Sequence, residues 1–203
     1  MALLPINISS YDGFRADALL RASQGLGYDV DGWLGYQCWD LAAELWMNIP
    51  EFQNSGLWPH TGPELAAKEC WTVSRTANAG NSFDLIYNLA DVRRGDVIVL
   101  GESPISDVGH IAFADQDYAG YSYMDLLGQN QVNPNPNYGH VPTVTWVHVS
   151  PYFLGAFRFR DWITPPTPTV TEEERKHFPW PVAWRSWRNF ERNGGRYGNI
   201  SKR

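Results

Sequence analysis

The sequence predicts an α+β fold, with N-terminal helices packed on an antiparallel β-sheet and a short extension at the C-terminus. Three observations predict it. Apolar residues recur at helical spacing early in the chain, and after residue 69 the pattern changes to short runs rich in β-branched and aromatic residues. Those runs are divided by Gly, Pro, Asp and Asn, as strands joined by tight turns are. Helices that precede the strands, rather than alternate with them, give the order of an α+β domain.

The elements follow in order. Phe14 to Gln24 has helical periodicity and no breaker, and it ends before Gly25 and Gly27. Cys38 to Met47 predicts a second helix, apolar around most of its circumference and therefore buried, which stops ahead of Pro50. Thr61-Gly-Pro-Glu64 has the capping-box pattern and opens a short helix expected over 64–69. Strands are expected at 97–100, 111–114, 122–128, 144–149 and 153–159.

The chain has 203 residues, 43% hydrophobic and 19% charged, enough for one compact domain with at most a short appendage. Ten Trp and ten Tyr exclude a disordered chain. No stretch approaches the roughly 18 consecutive apolar residues of a membrane span, so no integral membrane contact is expected. Residues 1–7 lack a basic segment followed by an apolar run, which predicts a chain made and kept soluble without a secretory signal. Nucleic acid is not an expected partner.

The net charge of -6 is unevenly spread. Residues 171–203 carry eight basic and four acidic side chains, a balance of +4, which leaves -10 for residues 1–170. Between the two lies a segment with Pro165, Pro166 and Pro168, whose fixed φ and missing donors favour a stiff connector. The expected organisation is a main domain over 1–163, a Pro-rich linker over 164–171 and a basic, Trp-rich extension over 172–203. In the extension, Trp180, Trp184, Trp187 and Phe190 fall at helical spacing, with Arg185, Arg188 and Arg192 on another face. Packing on its own domain, docking on another protein and contact with an anionic polymer all suit this pattern.

Asp29-Val-Asp-Gly-Trp-Leu-Gly-Tyr-Gln-Cys-Trp-Asp40 carries carboxylates at positions 1, 3 and 12 of a glycine-containing loop. The spacing is EF-hand-like, although Asp40 replaces the usual Glu and position 6 lacks its glycine. Hard oxygen donors of this kind suit Ca2+. The candidate ligands are the side chains of Asp29, Asp31 and Asp40 with the carbonyls of Trp33 and Gly35. An ordinary acidic turn is the alternative reading of the same residues.

The loop runs into Cys38 at the expected start of a helix, where backbone N–H groups and the positive end of the helix dipole favour thiolate over thiol. Neither cysteine has a Cys-x-x-Cys partner, and Cys70 reads as a small buried hydrophobe. A thiol nucleophile needs an imidazole base. Of the five histidines, His60, His140, His148 and His177 lie in a Pro-rich turn, after a loop, within an aromatic strand and in the extension. His110 follows Gly109 at the mouth of the strand Ile111-Ala-Phe-Ala114. For the group that orients the imidazole, the next strand offers Asp125 and ends in Gly128-Gln129-Asn130, and an Asn carbonyl oxygen is as good an acceptor as a carboxylate.

Gln37-Cys38-Trp39-Asp40-Leu41, Arg94-Gly95-Asp96-Val97, Gly109-His110-Ile111-Ala112, Gln129-Asn130 and Phe153-Leu154-Gly155-Ala156-Phe157-Arg158 resemble, in order and spacing, the CHAP family of cysteine, histidine-dependent amidohydrolases and peptidases. The resemblance covers about residues 11–162 and is strongest to calcium-binding catalytic domains of bacteriophage lysins of Gram-positive hosts. It implies a papain-like fold, Cys38 as nucleophile, His110 as general base, Asn130 as orienting group and Gln37 in the oxyanion hole with the backbone N–H of Cys38. It further implies structural Ca2+ beside the nucleophile. One departure stands out: such lysins commonly carry Glu-x-Asn, and here Gly128 takes the acidic position. Strand alternation sets Asp125 on the opposite face, which leaves Asn130 to act alone.

The implied function is that of a phage-encoded peptidoglycan hydrolase, an N-acetylmuramoyl-L-alanine amidase or an endopeptidase. Its substrate would be Gram-positive peptidoglycan, and its further partners phage tail proteins bound through the extension. The implied site of action is the bacterial cell wall, reached from the virion tail or from the host cytoplasm at lysis. A non-catalytic CHAP-like structural or wall-binding part of a phage tail is the alternative.

Overall fold

A computed structural model of the chain describes residues 6–53, 59, 65–104, 106–132, 134–135 and 137–162. The expected linker at 164–171, the extension at 172–203 and the capping box at 61–64 lie outside them.

Helix α1, Tyr11–Ser23, begins where the Ser10 hydroxyl accepts the Gly13 N–H at 3.1 Å, and it buries Tyr11, Phe14 and Ala18. Helix α2, Cys38–Asn48, buries Leu41, Ala42, Ala43, Leu45 and Trp46, as its nearly continuous apolar sequence requires. Short helices α3 (Pro50–Gln53), α4 (Glu69–Thr72) and α5 (Arg75–Ala79) follow. The helix expected over 64–69 is thus displaced toward the C-terminus. Leu65 takes a positive φ of 54°, and the Glu69 carboxylate accepts the Ala66 N–H at 3.1 Å, so Glu69 opens a helix instead of ending one.

Six strands form one sheet: β1 (Phe83–Ile86), β2 (Val97–Leu100), β3 (His110–Ala114), β4 (Tyr123–Gly128), β5 (Thr143–His148) and β6 (Phe153–Phe159). Their order is β1-β6-β2-β3-β4-β5, and every pairing is antiparallel. The α+β expectation therefore holds, and five of the six strands fall where the sequence pattern placed them. Strand β1 was not expected. It is a four-residue edge strand buried only at Phe83, too brief to show alternation.

Alternation along the central strands divides the core in two. Val97 and Val99 of β2, with Ile111, Phe113 and Phe157, pack beneath α1 and α2 against Phe14, Leu41 and Trp46. Ile98, Leu100, Ala112, Leu126 and Ala156 form a second cluster. Trp46 anchors the first: its ring stacks on Phe83 at 4.1 Å between centroids, and its N–H donates to the Asn78 carbonyl at 2.7 Å.

Two motif segments turn out to be structural. Gly95, at φ +92°, turns the chain into β2, and Asp96, 1% exposed, accepts the Arg93 N–H at 2.8 Å and both Nε and Nη2 of Arg158 at 2.8 and 2.7 Å. Arg94-Gly95-Asp96 and the end of β6 are thereby tied into one bidentate ion pair. Gly155 in β6 leaves room for Trp71, whose ring would sit 2.2 Å from a Cβ at that position.

Candidate active site

The loop before α2 is held against a second loop, backbone to backbone. Tyr36 N–H donates to the Tyr138 carbonyl at 3.0 Å, and His140 N–H donates to the Tyr36 carbonyl at 3.1 Å. Glycine is required on both sides of this approach. A Cβ on Gly35 would lie 2.5 Å from the Tyr138 oxygen and one on Gly139 1.8 Å from the Tyr36 oxygen, and both residues have positive φ.

Within the loop, Asp29, Asp31 and Asp40 bring carboxylate oxygens within 4.8 Å of one another. Asp40 is buried and accepts the N–H groups of Val30 and Gln37, both at 2.8 Å. Burial foremost, together with the charges of Asp31 and Asp29, pushes its pKa up to about 7. Asp31 accepts the Trp33 N–H at 2.8 Å, and the Gly35 carbonyl accepts Gln37 N–H at 2.9 Å, keeping a second lone pair. An all-oxygen donor set gathered around one buried carboxylate fits a hard divalent cation.

Cys38 is the first residue of α2 and His110 the first of β3, and both line a cavity of about 630 Å³ shared with Gln37, Asn130 and Gln131. The N–H groups of Ile111, Trp39 and Cys38 itself face the sulfur and favour thiolate, but burial outweighs them and pushes the thiol up to about 11. Desolvation thus opposes the expected helix-end activation of the half-buried thiol. Burial likewise holds the His110 imidazole below its ordinary value, against an opposing contribution from Gln131. Cys70 is fully buried, and desolvation pushes its thiol up as well.

Three consecutive amides close β4 and staple the site. Gln129, fully buried, accepts Tyr28 N–H at 2.7 Å and donates to the carbonyls of Tyr28 and Gln37 at 3.0 and 2.9 Å. Asn130, at φ +52°, donates to the Gln37 Oε1 at 2.8 Å and the Asn135 carbonyl at 3.1 Å, and accepts Asn135 N–H at 2.8 Å. Gln131 Oε1 lies 3.2 Å from His110 Nε2.

These contacts differ from two sequence-based expectations. The contact to the imidazole comes from Gln131, while the Asn130 amide bonds Gln37 and Asn135. Gln37 was expected in the oxyanion hole, yet its Nε2 donates to the carbonyls of Leu34 and Asn135 at 2.6 and 3.3 Å, which makes it a brace between loops. Asp125 pairs across the sheet with Trp146. Gln129, Gln131 and Asn135 were not singled out. The available signal was an amide run, Gln129-Asn130-Gln131, directly after a buried strand, where such side chains must find partners.

Comparison with known proteins bears on this arrangement. The chain is similar to a phage endopeptidase. Over 127 residues it is 33% identical to the D-alanyl-L-alanine endopeptidase of Streptococcus phage B30, a match that spans 59% of this chain and 25% of that protein. The chain thus covers about a quarter of its relative's length. Its fold matches the crystal structure of the wild-type endolysin LysIME-EF1 with a TM-score of 0.53 at 22% identity, over 71% of this chain and 63% of that one. No protein-family model matches.

Proposed function

We propose that this chain is the catalytic domain of a CHAP-type phage lysin, which hydrolyses an amide bond of Gram-positive peptidoglycan with Cys38 as nucleophile and His110 as general base. The observation that carries this reading is the shared cavity, in which a thiol at the start of α2 and an imidazole at the start of β3 stand together. The 33% identity to a D-alanyl-L-alanine endopeptidase favours a peptide bond over the muramoyl-alanine amide.

Burial opposes charge on both groups, which favours proton transfer in step with attack. His110 takes the thiol proton as sulfur bonds to the substrate carbonyl carbon, and it then delivers that proton to the leaving amine as the C–N bond breaks. Water, deprotonated by the same imidazole, releases the thioester. The N–H of Cys38, in the first turn of α2 where no intrahelical acceptor exists, is the donor available to the oxyanion. Asp29, Asp31 and Asp40, with the carbonyls of Trp33 and Gly35, would hold Ca2+, whose contribution is to neutralise the loop carboxylates and fix the beginning of α2.

Cys38→Ala tested on Gram-positive cell walls decides the reading. Clearing should fall on the order of 10⁴-fold or more; unchanged clearing would remove Cys38 from the chemistry, and no clearing by the parent chain would identify a non-catalytic wall-binding part. Mass analysis of wild-type digests should give fragments ending in a D-alanine carboxyl group. A free lactyl carboxyl on muramic acid would indicate the amidase bond. Detection of the protein in purified particles distinguishes a tail lysin, docked through the extension, from an endolysin.

A further inference from the structure

Position 128 has no side chain, and the structure shows what fills the space. A Cβ on Gly128 would lie 2.8 Å from both Cδ and Oε1 of Gln131, and 2.9 Å from the Cβ of Ala112. Ala112 is two residues along β3 from His110 and on the same face of the strand. The carboxamide of Gln131 therefore lies across the α-carbon of Gly128, and any side chain at that position would displace it.

The orientation of that carboxamide is fixed by its partners. Its Nε2 donates to the carbonyls of Leu126 and Thr143 at 3.1 and 2.8 Å, which uses both hydrogens on groups that only accept. Oε1 is thereby turned to His110 Nε2 at 3.2 Å. An amide oxygen cannot donate, so Nε2 of the imidazole carries the hydrogen and Nδ1 the lone pair. From this geometry we infer that Gln131 is the positioning residue of His110, a neutral acceptor that reaches from position 131 into the space left by glycine at 128 and holds the imidazole in its basic tautomer.

This rests on the proposed role of His110, but its consequences can be read separately. Among the described residues, the other titratable groups that line the cavity with His110 are Cys38 on α2, Asp107 before β3, His148 on β5 and Tyr152 before β6. The Lys68 ammonium is paired with Glu102 at 2.6 Å. None of these supplies the acceptor that Nε2 meets.

The experiment follows His110 by imidazole 15N NMR in full-length protein carrying Cys38→Ala, alongside wall digestion by the same Gln131 variants with Cys38 intact. Gln131→Met keeps the volume and removes the acceptor. It should release the Nε2–H tautomer into a mixture, move the acid limb of the kcat profile to lower pH, and lower kcat on the order of 100-fold with KM little changed. Gly128→Glu combined with Gln131→Ala should restore an acceptor from position 128, recover the Nε2–H tautomer and raise the proton affinity of His110 about tenfold or more above the parent. A residue that acted only in packing would not be rescued from another position. Retention of the pure Nε2–H tautomer in Gln131→Met, or no recovery of it in the double variant, overturns the inference. Because tautomer and titration are read without substrate, these results stand even if Cys38→Ala clears walls as well as the parent chain does.

Discussion

At Cys38 two opposing effects meet, and their balance decides how the nucleophile is used. Three N–H groups favour thiolate and burial favours thiol, and burial prevails, raising the pKa to about 11. Alkylation by iodoacetamide should therefore speed up continuously from pH 7 to pH 10, whereas a preformed thiolate–imidazolium pair would give a plateau near neutrality. Mass spectrometry should place the label on Cys38 and leave buried Cys70 unmodified. His110 contributes on the acid side. Its folded pKa is depressed, so below its ordinary value near 6.5 the unfolded chain binds a proton that the native chain does not, and stability falls with falling pH. Urea midpoints measured from pH 7 to pH 5 should decline less in His110→Gln than in the parent, and equal slopes would refute this assignment.

The elements show how a motif is divided between chemistry and architecture. Asp96 belongs to a segment that marks the resemblance, yet it is buried against Arg158 and the Arg93 N–H, far in function from the thiol. Asp96→Ala leaves Arg158, whose side chain is 16% exposed, without its bidentate partner. It should destabilise the domain by about 3 kcal/mol, read as a lower urea midpoint, and wall cleavage at low temperature should persist. Complete loss of activity in a folded variant would contradict the structural role. What was legible in the sequence follows the same division. Helices α1 and α2 are long enough for their periodicity to show, and strands β2 to β6 stand out as apolar, β-branched and aromatic runs between turn residues, whereas β1 is a four-residue edge strand interrupted by Asp84, and α3 and α5 have only four or five residues. Cys38 and His110 were legible because each begins a regular element. Gln131 was not, because its role depends on an absence at Gly128, and a missing side chain has meaning only once the surrounding space is known.

The whole molecule is more acidic where the chemistry sits, at -10 for residues 1–170, and three of those charges crowd one loop. That loop is also the most cross-braced part of the site: Gln129 holds Tyr28 and Gln37, Asn130 holds Gln37, and Tyr36 is bridged to the 138–140 segment. A cation bound by Asp29, Asp31 and Asp40 would act on both properties, relieving repulsion among carboxylates within 4.8 Å and rigidifying the approach to α2. Binding to the native state alone stabilises by about 2.7 kcal/mol when the free ion is at 100 times its dissociation constant. For a domain of this size that is roughly 5–10 °C in Tm. Addition of millimolar Ca2+ to chelated protein should produce a rise of that order, and Asp31→Asn should abolish most of it. Chelation should also abolish wall cleavage while iodoacetamide still labels Cys38, since a cation held there would position the helix start and take no part in the sulfur chemistry. A chelated sample that cleaves walls at the full rate, with an unshifted Tm, would show that the three aspartates form an acidic turn and that the amide staples alone fix the nucleophile.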